Sequence, residues 1–262
     1  MREPQRSQFV ALVRRGAAAR DIHDSHGAGD YDGDPDVAPS ERFLARELER
    51  VETHLRNLCA PLARYLHGAR AILDVGCGTG GSTVALALAA AGATVVGVDA
   101  SQMVLEAAAL RAEGHGVAGQ VEFEHVPAGE PLPFGDDSFQ LVTCVSMLEF
   151  VGTAQARRTL LAEMLRVLQP GGWLYIATPS PWRLRELHSR RWLGDWRRRP
   201  GYPWASSLGG LRRLLPGCEL HPMARERFLR GARLRHIAWA APLVGWALPW
   251  QRVLVRKPMP PA

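Results

Sequence analysis

Residues 72–81 read Ile72-Leu73-Asp74-Val75-Gly76-Cys77-Gly78-Thr79-Gly80-Gly81. A short apolar run ends on a carboxylate and breaks into four glycines within six residues. The run predicts a buried strand over 71–75, and the apolar stretch over 82–91 a helix. Between them the glycines let the chain turn sharply and let a ligand approach bare backbone with no Cβ in the way. The unpaired N–H groups that open the helix add a weakly positive rim with hydrogen-bond donors.

The same alternation continues outward. Strands are predicted over 94–98, 121–124, 139–145 and 173–178, and helices over 102–112 and 154–168. Apolar runs such as Thr94-Val95-Val96-Gly97-Val98 fit strands covered on both faces. Strand, helix, strand repeated in this way predicts a parallel sheet with right-handed crossovers and helices on both faces. The second strand ends in Gly97-Val98-Asp99-Ala100-Ser101, with Asp99 placed 23 residues after Gly76. A carboxylate there can accept both hydroxyls of an adenosine ribose. Upstream, Ser40 stands as a helix cap, and Leu44, Leu48, Val51, Leu55, Leu58, Leu62 and Tyr65 form one apolar stripe, predicting a single long helix over 41–67. Residues 1–40 read as a loosely ordered segment able to act as a lid, since 27–39 are rich in Gly, Asp and Pro. Past 180 the regularity weakens into a Trp- and Arg-rich stretch with a helix near 207–215, a run over 218–223, and a closing strand within 251–257.

Gly76, Gly78 and Gly81 also satisfy the spacing of nicotinamide dinucleotide binders. Two features favour another cofactor. Asp74 would repel a pyrophosphate but can hold an ammonium group, and the 154–168 helix runs through Leu168-Gln169-Pro170-Gly171-Gly172 into a strand. With Leu132-Pro133-Phe134 and Asp137-Ser138-Phe139-Gln140-Leu141-Val142 these segments stand in a characteristic order. The stretch over 70–179 resembles the core of class I S-adenosylmethionine-dependent methyltransferases, particularly the small-molecule branch holding the ubiquinone and menaquinone biosynthesis methyltransferases. The resemblance implies a Rossmann-like, mostly parallel seven-stranded sheet whose last strand is antiparallel, with S-adenosyl-L-methionine across the strand ends. It further implies that Gly76, Cys77, Gly78 and Gly80 frame the methionine portion and Asp74 its amino group. Asp99 would take the ribose, Ala100 and Met103 would flank the adenine with Ala128 and Gly129 across from them, and Cys144 and Ser146 would sit under the sulfonium. Ala128 and Gly129 stand where many relatives place an Asp, and Leu148-Glu149-Phe150 where many read Leu-Glu-His, so no His-based role carries over there.

The domain plan is thus a 1–40 lid and a 41–262 methyltransferase domain, comprising a leading helix (41–67), a cofactor core (70–179), a substrate cap (180–250) and a last strand (251–257). Methyl transfer from a sulfonium requires mainly positioning of the acceptor. A base matters only for an acceptor that must lose a proton. His23, His26, Tyr31 and Glu149 are the candidates for that base, and no metal site is expected because His23 and His26 lack a third ligand cluster.

With 47% hydrophobic and 22% charged residues, the composition is that of a soluble globular protein, and no apolar run is long enough to cross a bilayer. Neither a leader nor a disulfide framework is read from the N-terminus or the four scattered cysteines, which makes a reducing cytoplasm the expectation. The net charge of +6 hides an asymmetry: from Pro181 onward 17 cations face 4 acids, a net +13, which leaves −7 for the first 180 residues. Trp192, Trp196, Arg197, Arg198, Arg199 and the apolar run over 237–250 suggest a cap over a lipophilic small-molecule substrate or a peripheral contact with an anionic membrane. The basic third could also serve a nucleic-acid methyltransferase. Against that, Cys144-Val145-Ser146-Met147 is unlike the Asn-Pro-Pro-Tyr type of motif used on base amines. An NAD(P)-dependent oxidoreductase remains the other alternative.

Overall fold

The structure, a computed structural model, describes residues 3–18, 41–179, 208–223 and 250–259. Its centre is a seven-stranded sheet: β1 (Ala71–Val75), β2 (Thr94–Asp99), β3 (Val121–His125), β4 (Phe139–Val145), β5 (Leu168–Pro179), β6 (Glu219–Pro222) and β7 (Trp250–Arg256). The order across the sheet is β3-β2-β1-β4-β5-β7-β6. β1 to β5 pair in parallel, and β7 runs antiparallel to both neighbours. The order reverses beside β1, so a crevice opens at the carboxyl ends of β1 and β4, where ligands bind in open α/β sheets.

Alternation along the strands divides the core in two. Ile72, Val95, Leu141, Tyr175 and Leu254 face a layer formed by α3 (Arg50–His54), a π-helical turn (Leu55–Cys59), α4 (Ala60–Leu66) and α5 (Gly81–Ala89). Leu73, Val96, Val142, Leu174 and Val253 face α7 (Ala154–Val167) and α8 (Leu208–Leu214). Thr153 caps α7, its Oγ1 accepting the Ala156 N–H at 3.0 Å. α6 (Gln102–Gly114) joins the layer of α5 and carries a third, smaller apolar cluster.

Three expectations change. The long helix over 41–67 is broken into α2 (Glu41–Leu48), α3, the π turn and α4. Pro61 has no N–H to give, and the widened turn ahead of it closes with the Ala60 N–H on the Leu55 carbonyl, five residues back. Residues 3–18, read as part of a loose segment, form helix α1 (Glu3–Ala18). Its Phe9 and Val13, one turn apart, are fully buried against Phe43 and Leu44 of α2 and Val104 and Ala107 of α6. That apolar pair stood in the sequence inside the continuous run Phe9-Val10-Ala11-Leu12-Val13, too short to show a helical period. Finally, β5 begins at Leu168 rather than 173. Its pairing with β4 steps from Phe139–Leu168 to Leu141–Trp173, so the Gly171-Gly172 turn is a bulge inside the strand, held by Lys257 on both sides.

Candidate functional site

The turn between β1 and α5 is built almost entirely from backbone. The N–H groups of Gly76 and Cys77 both donate to the Val98 carbonyl, at 2.9 and 3.0 Å, which clips the turn to the end of β2. Asp99 then accepts the Gly78 N–H on Oδ2 at 2.9 Å and the Ser101 N–H on Oδ1 at 3.1 Å. Gly78, Asp99 and Met103 are half-buried, and Ala100, Ala128 and Gly129 are exposed.

The glycines of the turn divide by what surrounds them. A Cβ on Gly78 would meet nothing within 4 Å, so this bend faces open space. A Cβ on Gly80, where φ is +75°, would stand 2.7 Å from the Cβ of Ala108 on α6, so Gly80 serves packing. At Gly76 the room is taken by the side chain of Met147, whose Cγ would lie 2.2 Å away, so this glycine admits the loop after β4. Of the three glycines expected to frame a ligand, Gly78 is the one that leaves space for it.

Asp74 lies under the turn, 1% exposed. Its Oδ2 accepts from Ser82 Oγ at 2.6 Å and Thr83 Oγ1 at 2.8 Å, and its Oδ1 from Thr143 Oγ1 at 2.7 Å. Burial raises its pKa, opposed by the three hydroxyls. A carboxyl so enclosed presents almost no surface to an ammonium group; it fastens β1, α5 and β4 together beneath the bend. Cys77 is buried with its sulfur against Gly97, so it reaches the site through its backbone. Cys144 is fully buried in the core on the α7 side, where burial pushes its thiol pKa up, and it has no face toward the edge. Glu149 is 1% exposed in a single 3₁₀ turn (Leu148–Phe150), with Oε2 accepting from Thr178 Oγ1 at 3.4 Å. His23, His26 and Tyr31 lie outside the described residues.

Sequence reasoning missed the charged network that grips the turn from its other side. Arg111 of α6 is fully buried. Its Nε donates to the Thr79 carbonyl at 2.7 Å, and its terminal nitrogens donate to Thr79 Oγ1 at 3.0 Å, the Glu47 carbonyl at 2.8 Å and Glu47 Oε2 at 3.3 Å. Thr79 Oγ1 donates to Glu47 Oε2 at 2.8 Å, and Arg50 pairs with Glu47 Oε1 at 2.5 Å. The guanidinium of Arg111 lies over the ring of Phe9, 4.5 Å from its centre, which brings α1 into the same assembly. Burial works against the Glu47 carboxylate, but Arg50 and Arg111 outweigh it and hold its pKa below the usual value; burial pushes Arg111 down to about 10. A signal did exist: Arg111 occupies the apolar stripe of Val104, Ala107 and Ala108, and Glu47 that of Leu44 and Val51.

Beside the turn lies a cavity of about 280 Å³ between α2, α3 and the π turn on one side and the ends of β4, β5 and β7 on the other. Val145, Ser146, Tyr175, Ala177 and Arg252 supply its sheet wall, and Arg50, His54, Asn57 and Leu58 its helical wall. Ser146 holds a positive φ of 57°, fixed by its N–H donating to the Ala177 carbonyl at 2.9 Å. Glu149 is not among the lining residues; its partner Thr178 points to the opposite face of β5 from Ala177.

Two stability predictions follow from these contacts. Glu47→Gln leaves Arg111 buried without its counter-charge and should cost about 3 kcal/mol in urea unfolding at pH 7. Because the folded-state pKa of Glu47 is depressed, its stabilisation is present above its unfolded value near 4.5 and fades as pH falls through the folded value. The gap between wild type and variant should therefore narrow below about pH 4.5; an unchanged gap at pH 3.5 would contradict the pairing. Gly80→Ala should destabilise by at least about 2 kcal/mol, from left-handed backbone and the clash with Ala108, whereas Gly78→Ala carries the backbone cost alone, about 1–2 kcal/mol. Equal losses in thermal or urea unfolding would undo that distinction.

Comparison with known proteins places this architecture. A family described as "Methyltransferase domain" matches residues 72–172. The chain is 33% identical over 201 residues to a "Ubiquinone/menaquinone biosynthesis C-methyltransferase UbiE" of Geobacter sulfurreducens, covering 74% of each chain. It is 33% identical over 148 residues to a "Ubiquinone biosynthesis O-methyltransferase" of Thiobacillus denitrificans, a match spanning little more than half, 56%, of either chain. Among solved structures, a geranyl diphosphate methyltransferase in complex with SAM shares the fold, with a TM-score of 0.54 at 20% identity, covering 91% of this chain and 98% of that one. The sheet order, the open turn and these similarities lead to one conclusion: the chain belongs to the class I S-adenosyl-L-methionine-dependent methyltransferases.

Proposed function

We propose that the chain transfers a methyl group from S-adenosyl-L-methionine to a small, lipophilic acceptor by in-line displacement. The observation that carries this reading is the adjacency of two spaces. The open bend at Gly78 and Asp99 lies at the ends of β1 and β2, and the cavity beside Ser146 opens at the ends of β4 and β5.

The residues present suit the cofactor. Asp99 presents a half-buried carboxylate at the end of β2 to receive the ribose hydroxyls, and Gly78 offers bare backbone facing open space. Ala100 and Met103 stand beside the place for an adenine, with Ala128 and Gly129 across from it. Gly76, Cys77 and Gly80 shape the bend, and Asp74 holds it from below through Ser82, Thr83 and Thr143. When bound, the cofactor supplies an already activated methyl group, which leaves with both electrons of its carbon–sulfur bond remaining on sulfur. The protein's share is to orient the acceptor and exclude water. The helical wall of α2 and α3 and the sheet wall of β4, β5 and β7 do both.

The quinone-related names of the relatives support a lipophilic acceptor. Among the described residues no helix is long and apolar enough to cross a membrane. The Trp- and Arg-rich segments that motivate a peripheral contact lie outside the described residues. The contact stands as part of the proposal, and co-sedimentation with anionic vesicles at low salt tests it: binding that salt reverses is expected, and none at all would remove the membrane element.

The cofactor reading is tested by calorimetric titration with S-adenosylhomocysteine. Asp99→Ala should weaken binding by about a hundredfold, as two hydrogen bonds to a charged group are lost. The same variant should abolish incorporation of a labelled methyl group into a metabolite extract. Wild-type affinity in the variant, with melting unchanged, would show the ribose placement to be wrong.

A further inference from the structure

The wall of the cavity carries a charge that no described residue answers. Three arginines and two glutamates line the space. Glu47 is fully engaged, one oxygen by Arg50 and the other by Thr79 and Arg111, and Arg50 is thereby neutralised. Glu49 is exposed and solvated at the rim. Arg252 differs. It sits on β7 opposite Ala177 of β5, is half-buried, and among the described residues its guanidinium has neither hydrogen-bond nor ion-pair partner. Its alternation with the buried Val253 places it on the cavity face, with Leu254 continuing the apolar floor two residues on.

A half-buried guanidinium lining a partly apolar cavity, with no partner among the described residues, has donors to offer an anion. The planar fork of a guanidinium matches a carboxylate in two parallel hydrogen bonds. Around it the cavity offers further polar groups in Ser146, His54 and Asn57, and apolar surface in Val145, Leu58 and Ala177. A volume of about 280 Å³ admits a compact molecule.

We infer that this cavity binds the methyl acceptor and that the acceptor carries a carboxylate which Arg252 receives. Arg252 is then a specificity-determining residue, distant from the cofactor turn and outside the glycine motif. The inference rests on the methyltransferase reading, since it makes the cavity the acceptor site. Its physical content, a carboxylate pocket at Arg252, can be measured without the cofactor.

The experiment uses the full chain, with and without saturating S-adenosylhomocysteine. A panel of substituted benzoates and short alkanoates, each paired with its neutral amide, is titrated by ligand-observed NMR and calorimetry. At least one carboxylate should bind about tenfold or more tightly than its amide. Arg252→Gln should erase that preference, Arg252→Lys should restore part of it, and the affinity for S-adenosylhomocysteine should be unchanged in both variants. If no carboxylate outbinds its amide, or if the preference survives in Arg252→Gln, the inference is overturned while the methyltransferase assignment stands. If a carboxylate preference depends on Arg252 but S-adenosylhomocysteine does not bind, the pocket is confirmed and the cofactor reading fails.

Discussion

A bend made of glycines cannot hold its own shape, so its shape has to be imposed by what surrounds it. Here three carboxylates do this. Asp99 takes the Gly78 and Ser101 N–H groups from the side. Asp74 gathers three hydroxyls beneath, and Glu47 locks Thr79 against Arg111 behind. The last of these is the most consequential because it is shared. It joins the turn to α2, α6 and, through the ring of Phe9, α1. The bare backbone of the bend is thus made rigid chiefly by the buried groups Asp74, Glu47 and Arg111, set beneath and behind it.

This division of labour also explains why the motif contains so many glycines. One of them leaves open space, while the others let Met147, Ala108 and Arg50 approach closely. A motif read as a ligand cradle is in large part a packing device, and its open part is narrow: Gly78, beside the end of β2.

The sheet was legible because its strands are continuous apolar runs between glycine-rich turns, and six of the seven predicted segments lie within two residues of the observed ones. The exception, β5, begins early because the Gly171-Gly172 bulge keeps pairing through a turn that glycine and proline would ordinarily end. The first helix and the break before Pro61 were less visible. Phe9 and Val13 gain their meaning only from α2 and α6, and a π turn has no hydrophobic period of its own. In the site, the spacing that sets Gly78 and Asp99 at neighbouring strand ends was readable, and the two meet in the hydrogen bond from the Gly78 N–H to Asp99 Oδ2. The roles of Asp74, Glu47 and Arg111 could not be read, because a charged residue on an apolar stripe declares a partner without naming it, and all their hydrogen-bond partners but Arg50, three residues from Glu47, lie 8 to 69 residues away.

The central claim is that the bend at Gly78 and the end of β2 form the seat of an adenosyl cofactor held rigid from behind. Amide hydrogen exchange with and without S-adenosylhomocysteine tests it most directly. The account predicts slowed exchange confined to residues 76–81, 99–103 and 126–130, with α7 and α8 on the opposite face unchanged. Unaltered exchange in the turn, or protection appearing only on the α7 and α8 face, would contradict it.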